Sequence, residues 1–90
     1  MIIMKFGGTS VEDAAAILAA CERIRERRDR SPFVVVSACA GVTTSLLTAA
    51  DHAAQGLLTA AEHTIISLLR RHRVIAEHLL HTQARGYHVP

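Results

Sequence analysis

The order of apolar and polar residues along the chain predicts two strands joined by a helix. Ile2–Phe6 and Phe33–Ser37 are short apolar runs without alternation, a pattern typical of strands buried on both faces of a parallel sheet. Between them, apolar residues recur with the period of one helix face, at Ala14, Ile17, Leu18, Cys21 and Ile24. This order predicts a β-α-β unit with parallel strands and a right-handed crossover.

Polar residues set the expected ends of the first helix. Ser10 is a suitable N-cap, and it places Glu12 and Asp13 in the first turn, where negative charge is favourable. The polar segment 28–32 ends in proline and is expected to close the helix as a loop.

Two further helices are expected in the second half of the chain. The first is expected to begin at Thr43 or Thr44 and to reach about Gln55, with Gly56 as its stop. Residues 59–62 (Thr-Ala-Ala-Glu) have the spacing of a capping box and predict the start of the next helix, with Gly86 at its end. One face of this last helix is predicted from a series of mostly apolar residues: Ile65, Leu68, Leu69, His72, Ile75, Ala76, Leu79 and Leu80. His72 in this series is interpreted as a packed or border residue.

Two parallel apolar strands do not form a stable sheet by themselves, because both faces and at least one edge would lack partners. The strand pattern therefore implies more sheet than these 90 residues contain. We expect the chain to be the N-terminal portion of a larger α/β domain.

Composition narrows the possible functions. The formal net charge of +2 and the scarcity of aromatic residues argue against nucleic-acid binding, and the arginines of segments 23–30 and 70–73 are interpreted as solvated helix faces. Cys21 and Cys39 have the spacing of neither a metal site nor a disulfide framework, which favours a reducing, cytoplasmic location. No metal site, signal peptide or membrane span is expected.

The most informative motif is Lys5-Phe6-Gly7-Gly8-Thr9-Ser10-Val11, which places the only lysine and two glycines between a strand and a helix. A glycine turn, a helix N-terminus and a positive charge together suit a phosphate group. From spacing alone, a tight β–α turn with a surface lysine fits about as well. A second motif at 35–43 again runs from an apolar strand into small residues, a glycine and hydroxyls: Val-Val-Ser-Ala-Cys-Ala-Gly-Val-Thr.

Together the two motifs closely resemble the start of aspartate kinase, and the resemblance extends from Met1 to roughly Leu80. It implies an α/β fold: the β-α-β-α-α opening segment of the amino-acid kinase (carbamate kinase-like) three-layer parallel-sheet fold. Residues 1–90 would then be an incomplete N-terminal part of the catalytic domain, without the nucleotide-binding part and the regulatory domains.

The resemblance also implies an activity: ATP-dependent phosphorylation of the side-chain carboxylate of L-aspartate, with Mg²⁺ accompanying ATP. Lys5 would be catalytic and would contact the transferring phosphate. The implied phosphate-binding residues are Lys5, Gly7, Gly8, Thr9 and Ser10, and the implied aspartate-binding residues are Ser37 and Thr43. Ser10 could serve as a helix cap instead of binding phosphate. Cys39 lies where the family often has serine or proline, and it is not expected to act as a nucleophile.

Two alternatives stay open. The first is a kinase of the same superfamily that phosphorylates another carboxylate or a carbamate. The second is a non-catalytic module that uses the long helix 59–85 to pair with itself or with another chain. We expect the protein to form a homo-oligomer.

Overall fold

The computed structural model describes residues 1–83, which form two strands and three long helices in the predicted order β-α-β-α-α. The strands and helices are β1 (Ile2–Phe6), α1 (Ala14–Glu26), β2 (Pro32–Val36), α2 (Val42–Ala54) and α3 (Leu58–Gln83). They fall into two compact units: β1, α1 and β2 lie in Met1–Ala40, and α2 and α3 lie in the unit that begins at Gly41. The predicted end of the last helix at Gly86 lies outside the described residues.

The two strands form a parallel two-stranded sheet, as the sequence predicts. The register places Ile2 opposite Pro32 and Phe6 opposite Val36. Helix α1 packs against one face of β1 through a cluster in which Phe6 and Ala20 are buried. Other members of the cluster are Val11, Met4, Ile17 and Ile24.

The prediction that both strands are buried on both faces is wrong for this chain. The side chains of β1 alternate, so that Ile3 points away from α1 and is 71% exposed, and Phe33 of β2 is 60% exposed. For β1 the reason is that α1 packs against one face of the strand only, whereas β2 is exposed on both faces: Val36, on the same face as Phe6, is also 60% exposed. The apolar residues of the other face of β1 therefore have no covering layer within the described unit.

The start of α1 also differs from the prediction. Ser10 is not the N-cap; it lies in a short 3₁₀ helix, Gly8–Val11, where its N–H donates to the Gly7 carbonyl at 3.0 Å. Asp13 caps the helix instead, with its Oδ1 accepting from the Ala16 N–H at 2.8 Å. The 3₁₀ helix takes up the residues after β1, so Glu12 and Asp13 precede α1 rather than lie in its first turn.

The packed face of α1 is rotated slightly from the predicted one. Ala14 and Ala20 are buried, whereas Leu18 and Cys21 are exposed. Small side chains therefore occupy the buried positions of α1, and Ile17 and Ile24 pack beside them while partly buried.

In the second unit, α2 and α3 pack against each other. Gly41 and Gly56 flank α2 and both have positive φ angles of 82° and 79°, so Gly56 ends this helix as predicted. Helix α3 begins at Leu58, because the Ala61 N–H already bonds the Leu57 carbonyl at 3.1 Å. Thr59 is therefore inside the first turn, and the predicted capping box is wrong.

The packed stripe of α3 is narrower than the predicted apolar face. Ala61 and Ile75 are buried, while the predicted face residues Ile65 and Leu69 are about half exposed, at 48% and 56%. His72 is also exposed, with Nδ1 2.7 Å from the Leu68 carbonyl of its own helix. A single neighbouring helix covers only a stripe, which leaves the rest of the apolar face uncovered. No helix among residues 1–83 has both the length and the apolar character that crossing a membrane demands.

Candidate functional site

Lys5 lies near the end of β1, on the face of the sheet that α1 does not cover. The alternation of β1 places Lys5 on the same face as Ile3, and the side chain of Lys5 is exposed. Ser37 follows β2 directly and falls on the same face as Val35, the residue opposite Lys5. Lys5 Nζ donates a hydrogen bond to Ser37 Oγ at 2.9 Å. The structure thus brings one residue of each sequence motif into direct contact.

Backbone hydrogen bonds hold the two motifs together beyond the end of the sheet. The Ser37 N–H donates to the Phe6 carbonyl, and the Ala40 N–H donates to the Gly8 carbonyl, both at 3.0 Å. The turn after β1 and the loop after β2 therefore form one connected edge. Because its position is set by main-chain bonds, Ser37 is held beside Lys5 independently of the side-chain contact.

Gly8 suits this close approach, because a side chain there would crowd the neighbouring loop. A Cβ atom on Gly8 would lie 3.2 Å from the carbonyl oxygen of Ala38 and 3.2 Å from the backbone N and Cα of Ala40. Gly7 has open space around it and an ordinary φ of −76°. The packing of the two loops therefore explains why glycine is favoured at position 8, and the sequence pattern does not reveal this reason. The phosphate contacts proposed for both glycines stay predictions.

Thr9 and Ser10 lie on the exposed side of the 3₁₀ helix. Asp13 caps α1, so the Ser10 hydroxyl does not serve as the helix cap. Ser10 instead lines an open cleft of about 190 Å³ together with Phe6 of β1 and four residues of α1: Ala16, Ala19, Ala20 and Arg23.

Thr43 lies in the first turn of α2, in the second unit, and its side chain is exposed. Gly41 is at the cap position and provides no side-chain acceptor for the first N–H groups of this helix. The contact between Lys5 and Ser37 lies wholly in the first unit, so it does not bear on Thr43. The role of Thr43 stays a prediction.

The chemistry available around Lys5 suits an anion. A lysine ammonium group has three donors, and the bond to Ser37 occupies one of them. No ion pair between Lys5 and a carboxylate occurs among residues 1–83. The positive charge is therefore available to a bound anion, with nearby hydroxyls as further donors. Within the same residues, no group of three His, Cys, Asp or Glu side chains is placed to hold a metal ion.

Comparisons with known proteins agree with the motif resemblance. Residues 1–86 match a model of the amino acid kinase family. An aspartokinase of Chlamydia trachomatis is 57% identical over 42 residues, which is 47% of this chain and 9% of that protein. An aspartokinase of Chlamydia muridarum is 51% identical over 45 residues, or 50% of this chain and 10% of that protein. No solved structure matches the chain significantly.

The aligned stretches thus span about a tenth of each aspartokinase. The family match, by contrast, covers nearly the whole chain. It agrees with the parallel β-α-β unit and with both motifs at the carboxyl ends of its strands. The chain therefore belongs to the amino acid kinase family, and it resembles the N-terminal segment of the aspartokinases.

Proposed function

We propose that residues 1–90 are the N-terminal part of the catalytic domain of an aspartate kinase. The reaction is transfer of the γ-phosphoryl group of ATP to the side-chain carboxylate of L-aspartate, which gives aspartyl phosphate, the first step toward lysine, threonine and methionine. The observation that carries this proposal is the 2.9 Å hydrogen bond between Lys5 and Ser37, which joins the two motifs. Family membership and the names of the two relatives support it.

Phosphoryl transfer between two anions requires positive charge and alignment rather than covalent chemistry by the protein. In the proposed mechanism, the Lys5 ammonium group contacts the oxygens of the transferring phosphoryl group and stabilises the charge that they carry. Ser37 accepts one hydrogen bond from Lys5 and so fixes the direction of its remaining donors. A donor held in place before the reaction stabilises the transition state without reorganisation.

The turn after β1 is the proposed phosphate-binding segment. Backbone N–H groups at Gly7 and Gly8 and the hydroxyls of Thr9 and Ser10 are the donors. The exposure of Thr9 and Ser10 and the absence of a capping role for Ser10 support this assignment. Mg²⁺ would accompany ATP as part of the substrate and would supply charge neutralisation at the phosphates; none of the described side chains is assigned as its ligand.

By resemblance of the second motif to the aspartate kinases, Ser37 and Thr43 are each proposed to bind the acceptor aspartate. Ser37 lies beside Lys5, where the attacking carboxylate has to meet the phosphoryl group. Thr43 lies in the first turn of α2, and the N-terminus of a helix carries partial positive charge that favours a carboxylate.

Two other functions have some support. A family member with another carboxylate or a carbamate as acceptor would share the Lys5 arrangement, because that arrangement concerns the phosphoryl group. An interaction module is supported by the exposed apolar residues of α3, among them Ile65 and Leu69.

The test uses the polypeptide that contains this segment in its natural length. ADP release is followed with ATP, Mg²⁺ and one acceptor at a time: aspartate, glutamate or carbamate. Hydroxylamine is added in parallel, because it converts an acyl phosphate into a hydroxamate. We expect ADP release and hydroxamate formation that depend on aspartate. Turnover with only another acceptor would support the first alternative, and no turnover with any acceptor would support the interaction module.

A further inference from the structure

The hydrogen bond between Lys5 and Ser37 uses only part of the hydrogen-bonding capacity of the two side chains. Lys5 Nζ gives one of its three N–H groups to Ser37 Oγ at 2.9 Å, and the Ser37 hydroxyl, which accepts this bond, has an O–H donor of its own. Among residues 1–83, that O–H donor has no acceptor and Lys5 Nζ has no second partner. The pair therefore offers two N–H groups and one O–H group to a ligand.

These donors lie at the carboxyl end of the two strands. Lys5 is opposite Val35 in the register, and Ser37 lies two residues further along, immediately after β2. The Lys5 ammonium group, 2.9 Å from Ser37 Oγ, is therefore displaced toward the edge where ligands bind in open parallel sheets. The main-chain bond between the Ser37 N–H and the Phe6 carbonyl holds the backbone of Ser37, so its side chain is the part that can turn.

An anion that accepts from the Ser37 O–H group would strengthen the hold on Lys5. Both side chains are exposed, so water competes for the bond between them while no ligand is bound. A carboxylate on the O–H group stops the rotation of the hydroxyl and directs its lone pair at the ammonium group. Hydrogen bonds in such a chain polarise one another, so the cation, the hydroxyl and the carboxylate stabilise the arrangement together.

We propose that Ser37 couples the two substrate sites of the kinase. Its O–H group donates to the carboxylate of the acceptor aspartate while its oxygen accepts from Lys5, so the bound acceptor positions the ammonium group for the phosphates of ATP. Ser37 acts on the phosphoryl group only through Lys5 and is in this respect a positioning residue. The inference rests on the proposed function and adds a property to it: each substrate should tighten binding of the other, because coupling between sites is reciprocal.

The test measures this coupling in the natural-length protein by isothermal titration calorimetry. The probe is the β,γ-methylene analogue of ATP with Mg²⁺, which cannot transfer its terminal phosphoryl group, titrated with and without saturating aspartate. We expect aspartate to lower the Kd of the analogue roughly fivefold in the wild type. Ser37→Ala and Lys5→Ala should each remove most of this effect, and Ser37→Thr, which keeps the hydroxyl, should retain most of it.

Two controls separate coupling from the loss of a binding contact. Thr43→Val removes the other hydroxyl proposed for the acceptor and keeps both Lys5 and Ser37. It should weaken aspartate binding several-fold, yet saturating aspartate should still tighten binding of the analogue as in the wild type. In the double variant of Lys5→Ala and Ser37→Ala, the coupling should be no smaller than in Lys5→Ala alone, because Ser37 acts through Lys5. Circular dichroism checks that each variant is folded.

Three results would overturn the proposal: no tightening in a wild-type protein that phosphorylates aspartate, the same tightening in a folded Lys5→Ala variant, or a loss of tightening in Thr43→Val as complete as in Lys5→Ala. In each of these cases, aspartate-dependent turnover by the wild type would leave the proposed function intact. A wild-type protein that neither binds nor phosphorylates aspartate would overturn both. If Ser37→Ala is unfolded or does not bind aspartate, Lys5→Ala decides the question.

Discussion

Lys5 has an exposed side chain, and its ammonium group is held by Ser37. In the natural-length protein, we expect Lys5→Ala to lower kcat roughly 10²-fold or more, because a preorganised charge at the transferring phosphoryl group is lost. Stability should change little, since the single hydrogen bond of this exposed ammonium group to a serine hydroxyl is screened by water and contributes about 1 kcal/mol. Steady-state kinetics and urea unfolding of the same preparation measure both effects.

The matched control for this prediction is Lys5→Arg, which keeps the positive charge but replaces a compact ammonium group by a planar guanidinium. It should retain more activity than Lys5→Ala without reaching the wild-type rate. A folded Lys5→Ala enzyme with near-normal kcat would remove Lys5 from the mechanism.

A second prediction compares the effect of alanine at Gly7 and at Gly8 on stability, and it can be measured on the 90-residue chain. Gly8→Ala should lower the free energy of unfolding by about 1–3 kcal/mol, because its Cβ would press on the backbone of Ala38 and Ala40 at 3.2 Å. Gly7→Ala should be neutral or stabilising by up to about 1 kcal/mol, since its surroundings are open and its φ suits any residue. Urea denaturation followed by circular dichroism distinguishes the two. Equal effects at both positions would contradict the loop-packing explanation for Gly8.

Thr43 belongs to the acceptor side of the proposed reaction. In the natural-length enzyme, Thr43→Val should raise the KM for aspartate several-fold and leave the KM for ATP nearly unchanged, because a lost neutral hydrogen bond amounts to about 0.5–1.5 kcal/mol. Thr43→Ser, which keeps the hydroxyl, is the control and should stay close to wild type. An effect on ATP alone would place Thr43 on the nucleotide side.

At the scale of single elements, the start of α1 gives a prediction about stability. Asp13→Ala should destabilise the chain by about 0.5–2 kcal/mol, because the Ala16 N–H loses its acceptor. Asp13→Asn keeps an acceptor and should cost much less, and Ser10→Ala should have little effect because Ser10 is not the cap. Thermal unfolding of the three variants orders them. A larger loss for Ser10→Ala than for Asp13→Ala would restore Ser10 as the cap.

The elements show which features a sequence pattern can predict. The apolar runs located both strands, because a strand of this type is determined by its own residues; β1 is found at the predicted bounds. Burial could not be predicted in the same way, since it depends on neighbours that the pattern does not supply. Ile3 and Phe33 were predicted as core residues and are exposed, because the one helix of this unit packs against a single face of β1.

In the candidate site as well, some features could be predicted from the sequence and others could not. That Lys5 and Ser37 would lie near each other follows from the parallel pairing of β1 and β2, which the β-α-β order predicts. The cap at Asp13 was missed because two capping residues precede the helix, and the 3₁₀ helix Gly8–Val11 that decides between them leaves little trace in the sequence. The packing role of Gly8 depends on a loop distant in sequence and has no local signal.

At the scale of the whole molecule, we expect the 90-residue chain to self-associate and to lack aspartate kinase activity on its own. One face of β1 and both faces of β2 are uncovered, as Ile3, Phe33 and Val36 show, and so is much of α3, including Ile65 and Leu69. Apolar surface of this kind favours association. Light scattering measures the mass in solution, and a coupled assay measures aspartate-dependent release of ADP. A monomer that produces ADP with aspartate would show that the described residues contain a complete active site.

The contact between Lys5 and Ser37 spans 32 positions of sequence, yet its geometry comes from the pairing of two short strands. Homologous chains can therefore gain or lose residues in the loop between Glu26 and Pro32 without moving either group. A deletion of one residue inside β1 or β2 would instead turn one of the two side chains to the opposite face of the sheet. Natural insertions and deletions should accordingly occur in this loop and not in the strands. The two motifs then keep their contact while the number of residues between them varies.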